Sequence, residues 1–106
     1  MITIRVSKRS GEYVSFTAKG HAGYAVSGKD IICASVSALI INAVNSVEEF
    51  TDDKLLVKEA DGFVSIAFPD NLSEKGKLLI DSLVFGLTTI QEDYNNRYLT
   101  VTVKEV

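Results

Sequence analysis

The sequence predicts an α+β fold, with a mainly antiparallel sheet packed against two helices in the order ββαββαβ. Three observations carry this. Residues 2–8, 12–19 and 98–104 alternate apolar and polar side chains with a period of two. Two longer segments space their apolar residues at three and four. Ser10-Gly11 and Asp61-Gly62 supply tight turns between short apolar runs. At 106 residues the chain suits a single domain, 1–106.

Each element has its own reason. Ile2, Ile4 and Val6 face one way in the first strand, with Thr3, Arg5 and Ser7 opposite. Val14, Phe16 and Ala18 repeat the pattern after the Ser10-Gly11 turn, which predicts a hairpin. Gly20, Gly23 and Gly28 then break the alternation, and the segment 20–29 reads as a mobile loop. Asp30 reads as a helix N-cap, followed by Ile32, Val36, Leu39, Ile40, Ala43, Val44, Val47 and Phe50 at helical spacing. Ile31, Ala34, Ala38 and Ile41 make this helix apolar around most of its girth. Such a helix should be buried on more than one side, which points to a subunit interface. Residues 54–59 and 62–68 form a second predicted hairpin, ended by Pro69. Asn71 with Glu74 resembles a capping arrangement for a second helix carrying Leu79, Leu83, Leu87, Ile90 and Tyr94. Asn95-Asn96 stop it, and the last strand follows.

Composition narrows the chemistry. The chain has one cysteine, Cys33, and one histidine, His21. One cysteine excludes an internal disulfide, and the pair cannot alone supply the four ligands of a structural zinc site. No metal or cofactor is expected. The N-terminus lacks the basic patch and apolar run of a signal peptide, and the longest uncharged apolar stretch, 31–47, is short for a bilayer span. These features predict a cytoplasmic protein without membrane contact, its thiol kept reduced. Eleven basic and fourteen acidic residues give a net charge of −3, a poor balance for direct nucleic-acid binding. Residues 1–30 nevertheless hold five basic groups against two acidic ones.

His21, Asp30 and Cys33 fall within thirteen residues. With Asp30 as cap, Cys33 lies in the first helical turn, where unpaired backbone N–H groups and the helix dipole stabilise a thiolate and can receive an oxyanion. Composition leaves plain alternatives open: a small core residue for Cys33, a surface group for His21, turn-forming roles for the glycines and a loop aromatic for Tyr24. Ser37 lies one turn after Cys33 on the same face, within reach of any site built there.

The segment Gly20-His21-Ala22-Gly23, followed by Gly28-Lys29-Asp30-Ile31-Ile32-Cys33-Ala34-Ser35-Val36-Ser37, resembles the signature of the ribosomal-processing cysteine proteases, the Prp family. The pattern there is GHAG, a short glycine-containing loop, then G-x-D-I-V-C-A-x-V-S. Only Ile32, for valine, departs from it. The resemblance covers essentially the whole chain. It implies a cytoplasmic endopeptidase that removes the N-terminal extension of bacterial large-subunit ribosomal protein twenty-seven, acting as a homodimer. In it Cys33 is the nucleophile and His21 the general base, then the acid. Asp30 and Ser37 have supporting roles, and Gly20, Gly23, Tyr24 and Gly28 belong to a lid that closes on the peptide. The family's substrate segment is aromatic near its cleavage point, so an apolar groove beside the thiol is expected. The main alternative is a non-catalytic ribosome-associated assembly factor. A thiol redox or metal protein is a further alternative, weakened by the lack of a second cysteine.

Overall fold

The computed structural model describes the backbone of residues 1–20 and 27–106, and the side chains of 1–20 and 31–106. The elements run β1 (Ile2–Arg9), β2 (Glu12–Lys19), α1 (Ser27–Phe50), β3 (Leu56–Ala60), β4 (Phe63–Ala67), α2 (Glu74–Asp93) and β5 (Leu99–Glu105). This is the ββαββαβ order read from the alternation and the helical spacing.

The five strands form one sheet in the order β3-β4-β2-β1-β5. Three of the four pairings are antiparallel, and β5 returns after α2 to lie parallel to β1. The β1–β2 hairpin closes through Ser10 and Gly11, both at positive φ (51° and 79°), matching the right-handed twist of the flanking strands.

Among the described residues, one face of the sheet is covered and the other is open. Ile2, Ile4, Val6, Phe16, Ala18, Ile66 and Leu99 point into a single core. The helices close it from above with Ile32, Val36, Ile40, Ala43 and Val47 of α1 and Ile80, Leu83 and Leu87 of α2. Each helix thus buries one stripe at helical spacing, but Phe50 and Tyr94, expected in these stripes, are 65% and 41% exposed, and Ile80 takes the buried place in α2.

α1 begins at Ser27, four residues ahead of the predicted start. Asp30 is therefore the fourth helical residue and not the cap, and Gly28, expected in the loop, is helical. A lone glycine costs a helix about 1 kcal/mol against alanine, too little to stop one whose next five turns are held by the core. α2 is capped by Ser73, not Asn71: the Ser73 hydroxyl accepts from the Gly76 N–H at 3.1 Å and donates to the Asp53 carboxylate at 2.7 Å. Asn95 and Asn96, both in the left-handed region, end this helix as read.

The expectation of burial on several sides of α1 is not met within one chain. Ile31 and Ile41 remain 58% and 57% exposed, and with exposed Ala34 and Ala38 they fall in a sector of about 80°, roughly opposite the buried stripe. By length and composition, Ile31–Phe50 is apolar enough to cross a bilayer, with a mean hydropathy of 1.6. Its buried stripe is that of a core helix.

Candidate active site

Cys33 is half-buried on the second turn of α1 and packs against the core. Its side chain lines a cavity of about 220 Å³ between the N-terminal half of α1 and the β3–β4 end of the sheet. Val36, Ser37 and Ile40 of α1 line it on one side. Ala60, Gly62, Phe63 and Val64 of the second hairpin close the other, with Ile2, Ala18 and Gly20 beneath.

Gly20 is fixed by its surroundings. Its φ is +100°, and a Cβ there would collide with the Met1 carbonyl oxygen. Its N–H donates to the Gly62 carbonyl at 2.8 Å, while Ile2 N–H bonds the Tyr98 carbonyl at 2.9 Å. The end of β2 is thus pinned between the N-terminus and the β3–β4 turn. Only glycine meets both the sign of φ and the close approach.

Of the residues singled out in the sequence, the structure brings Gly20, Cys33 and Ser37 to one cavity. Asp30 has a helical backbone, and its side chain lies outside the described residues, as does that of Gly28's neighbour Lys29. His21, Gly23 and Tyr24, and with them most of the expected lid, also lie outside the described residues.

The early start of α1 changes the electrostatics expected at the thiol. The unpaired amides of a helix are its first four, here those of residues 27–30. Cys33 is the seventh residue, so its own N–H belongs to the helical ladder and its backbone stands about 4.5 Å or more along the axis from those amides. First-turn amides as oxyanion donors at Cys33 are not supported by this geometry.

A second cavity, of about 240 Å³, adjoins the first. It shares Ser37, Ile40 and Val64 with it and continues over Ile41, Val44 and Val57. The two make one mainly apolar groove between α1 and the β3–β4 hairpin, with the thiol at one end. The hairpin side of this groove, Val57 and Val64 above all, was not legible in the sequence. It depends on β4 pairing with β2, a contact between residues some 45 positions apart. Among the described residues no group of three His, Cys, Asp or Glu side chains is arranged to hold a metal.

A five-stranded α+β domain with its one thiol at the end of an apolar groove fits the class of small cysteine hydrolases that take an extended peptide. The comparisons make this particular. Residues 1–99 match the family described as cysteine protease Prp, and the chain belongs to that family. It is 35% identical to the ribosomal processing cysteine protease Prp of Bacillus subtilis over 106 residues, 94% of either chain. Its fold matches the crystal structure of the essential ribosomal processing protease Prp from S. aureus in complex with a covalently linked product peptide. There the TM-score is 0.89 at 27% identity, covering 98% of this chain and 100% of the other. A Streptococcus mutans protein of solved structure matches with a TM-score of 0.86 at 31% identity, covering 100% and 96%.

Proposed function

We propose that this chain is a cysteine endopeptidase that uses a Cys33–His21 dyad to cut the N-terminal extension from bacterial large-subunit ribosomal protein twenty-seven. The observation that carries the proposal is the shared cavity. Cys33 lines it, and so does Gly20, the residue that directly precedes His21 in the chain. This adjacency supports pairing the only histidine of the sequence with its only cysteine.

The chemistry then follows the residues. The Cys33 thiolate attacks the scissile carbonyl carbon, and the C–N bond breaks as the His21 imidazolium gives its proton to the departing amine. A thioester joins the N-terminal fragment to Cys33. Water attacks it, His21 takes the water proton, and the carboxylate leaves with the thiol restored. Ser37 presents its hydroxyl to the same cavity and positions the peptide. Asp30 orients His21 from the first turn of α1. The groove running from Cys33 over Ile40, Val44 and Val57 takes the apolar and aromatic side chains of the substrate segment. Two of the S. aureus structures, with a substrate peptide and with a covalently linked product peptide, support a peptide-binding reading.

A second copy of the chain covers the uncovered stripe of Ile31, Ala34, Ala38 and Ile41 in this reading, giving a homodimer. The protein works in the cytoplasm, where a reduced thiol persists. Incubation with the extended ribosomal protein, followed by intact-mass analysis, tests the proposal. Loss of the extension with wild type and none with Cys33→Ala is expected. Ribosome association without any cleavage would favour the non-catalytic assembly factor.

A further inference from the structure

The solvent face of the sheet carries a charge pattern that the net charge of the chain conceals. Strand register places Lys58, Ser65, Thr17, Arg5 and Thr102 side by side in one row across all five strands. The next row holds Phe63 beside Lys19, and the row on the other side ends in Lys104. Side chains of directly paired residues share a face. Arg5, Lys19 and Phe63 do line one surface depression, together with Thr3 and Thr17.

No outward strand position in these three rows is acidic. The chain as a whole is −3, yet this face carries four positive charges, with serine and threonine hydroxyls filling most positions between them. Arg5, Lys19, Lys58 and Lys104 are all exposed. Arg5 and Lys58 stand three strands apart, about 14 Å. The acidic residues sit elsewhere: Glu59 faces the α1 groove, Glu12 pairs with Lys77 of α2, and Asp81 accepts from Tyr13.

From this segregation we infer that the open sheet face is a docking platform for single-stranded RNA. The four cations meet successive phosphates and the hydroxyls donate to phosphate and ribose oxygens. Phe63, the one aromatic ring in these rows, offers a base a stacking surface. A sheet of this kind reads single strands through backbone charge and ring stacking. An acidic peptide would use the charges and leave the ring without a role. Averaging charge over the chain argued against nucleic acid because it mixed this face with the acidic helical side.

Fluorescence anisotropy with a fluorescein-labelled twelve-nucleotide single-stranded RNA tests the inference, with a twelve-residue polyglutamate as competitor. Four phosphate contacts give a log–log salt slope near −3, so affinity should fall about 50-fold between 50 and 200 mM KCl. Arg5→Glu with Lys58→Glu should weaken binding at least 20-fold. Lys54→Glu with Lys75→Glu, the same change in net charge away from the face, should weaken it less than three-fold. Thermal melts of both pairs check that each is folded. Phe63→Ala should cost about five-fold or more. No binding by wild type, equal loss in the two pairs, or competition by polyglutamate as strong as by unlabelled RNA would each overturn the proposal.

Discussion

Gly20→Ala perturbs the point where the sheet hands the chain on to His21. Two costs add. The left-handed backbone at φ +100° costs an alanine about 1–2 kcal/mol. The new Cβ also strikes the Met1 carbonyl oxygen, a backbone atom that cannot rotate away, so the ends of β1 and β2 must separate. That movement weakens the 2.8 Å bond from Gly20 N–H to the Gly62 carbonyl, worth about 1 kcal/mol net. The expected loss is about 2–4 kcal/mol, a fall in Tm of about 10–25 °C for a domain of this size. Gly11→Ala is the internal control. Its φ is +79° but nothing lies within 4 Å of its Cβ, so it pays the conformational cost alone. Melting curves followed by far-UV circular dichroism compare the two. Gly20→Ala melting within 2 °C of Gly11→Ala would refute the close approach of Met1, and with it the pinned end of β2.

Other consequences follow from separate parts of the molecule. Ser73→Ala removes the cap of α2 and one partner of Asp53, so stability should fall by about 1–2 kcal/mol in chemical denaturation with the m-value unchanged. The Tyr13 hydroxyl, buried and donating to the Asp81 carboxylate, is held well above its usual pKa of 10.0 by burial first and Asp81 second. The folded state then keeps a proton that the unfolded chain loses above about pH 10. Stability is complete below that pH and should drop by up to about 1.4 kcal/mol per pH unit above it. Tyr13→Phe should lose that component of the alkaline dependence, as read from Tm between pH 9 and 11. Ile31→Glu should convert a homodimer to monomer by light scattering while leaving the fold intact, since Ile31 is exposed in the single chain. A wild-type monomer at micromolar concentration would sink the dimer.

What could be read from the sequence follows the range of the interactions involved. The strands and helices were legible because alternation and helical spacing are local, and the buried stripe Ile32, Val36, Ile40, Ala43 and Val47 is the one the spacing marks. Helix starts were less so. Asp30 and Asn71 are both good caps by residue type, but the structure starts α1 at Ser27 and caps α2 with Ser73, whose second partner, Asp53, lies twenty residues away. The thiol was legible as a candidate from its motif, and Ser37 from its one-turn spacing. Val64 and Gly62 were not, because they reach the Cys33 cavity only through the pairing of β4 with β2. The cationic face was hidden for the same reason: Arg5, Lys19, Lys58 and Lys104 come from four strands and meet only when the register is known.

The proposed protease reaction requires that Cys33 form a thioester with the peptide it cuts. The most direct measurement is rapid acid quenching of the enzyme mixed with a peptide spanning the extension junction, then intact-mass analysis and mapping of the adduct. An enzyme species heavier by the N-terminal fragment less one water, mapped to Cys33, is expected, with neither adduct nor cleavage for Cys33→Ala. Cleavage by Cys33→Ala at the wild-type rate would contradict it.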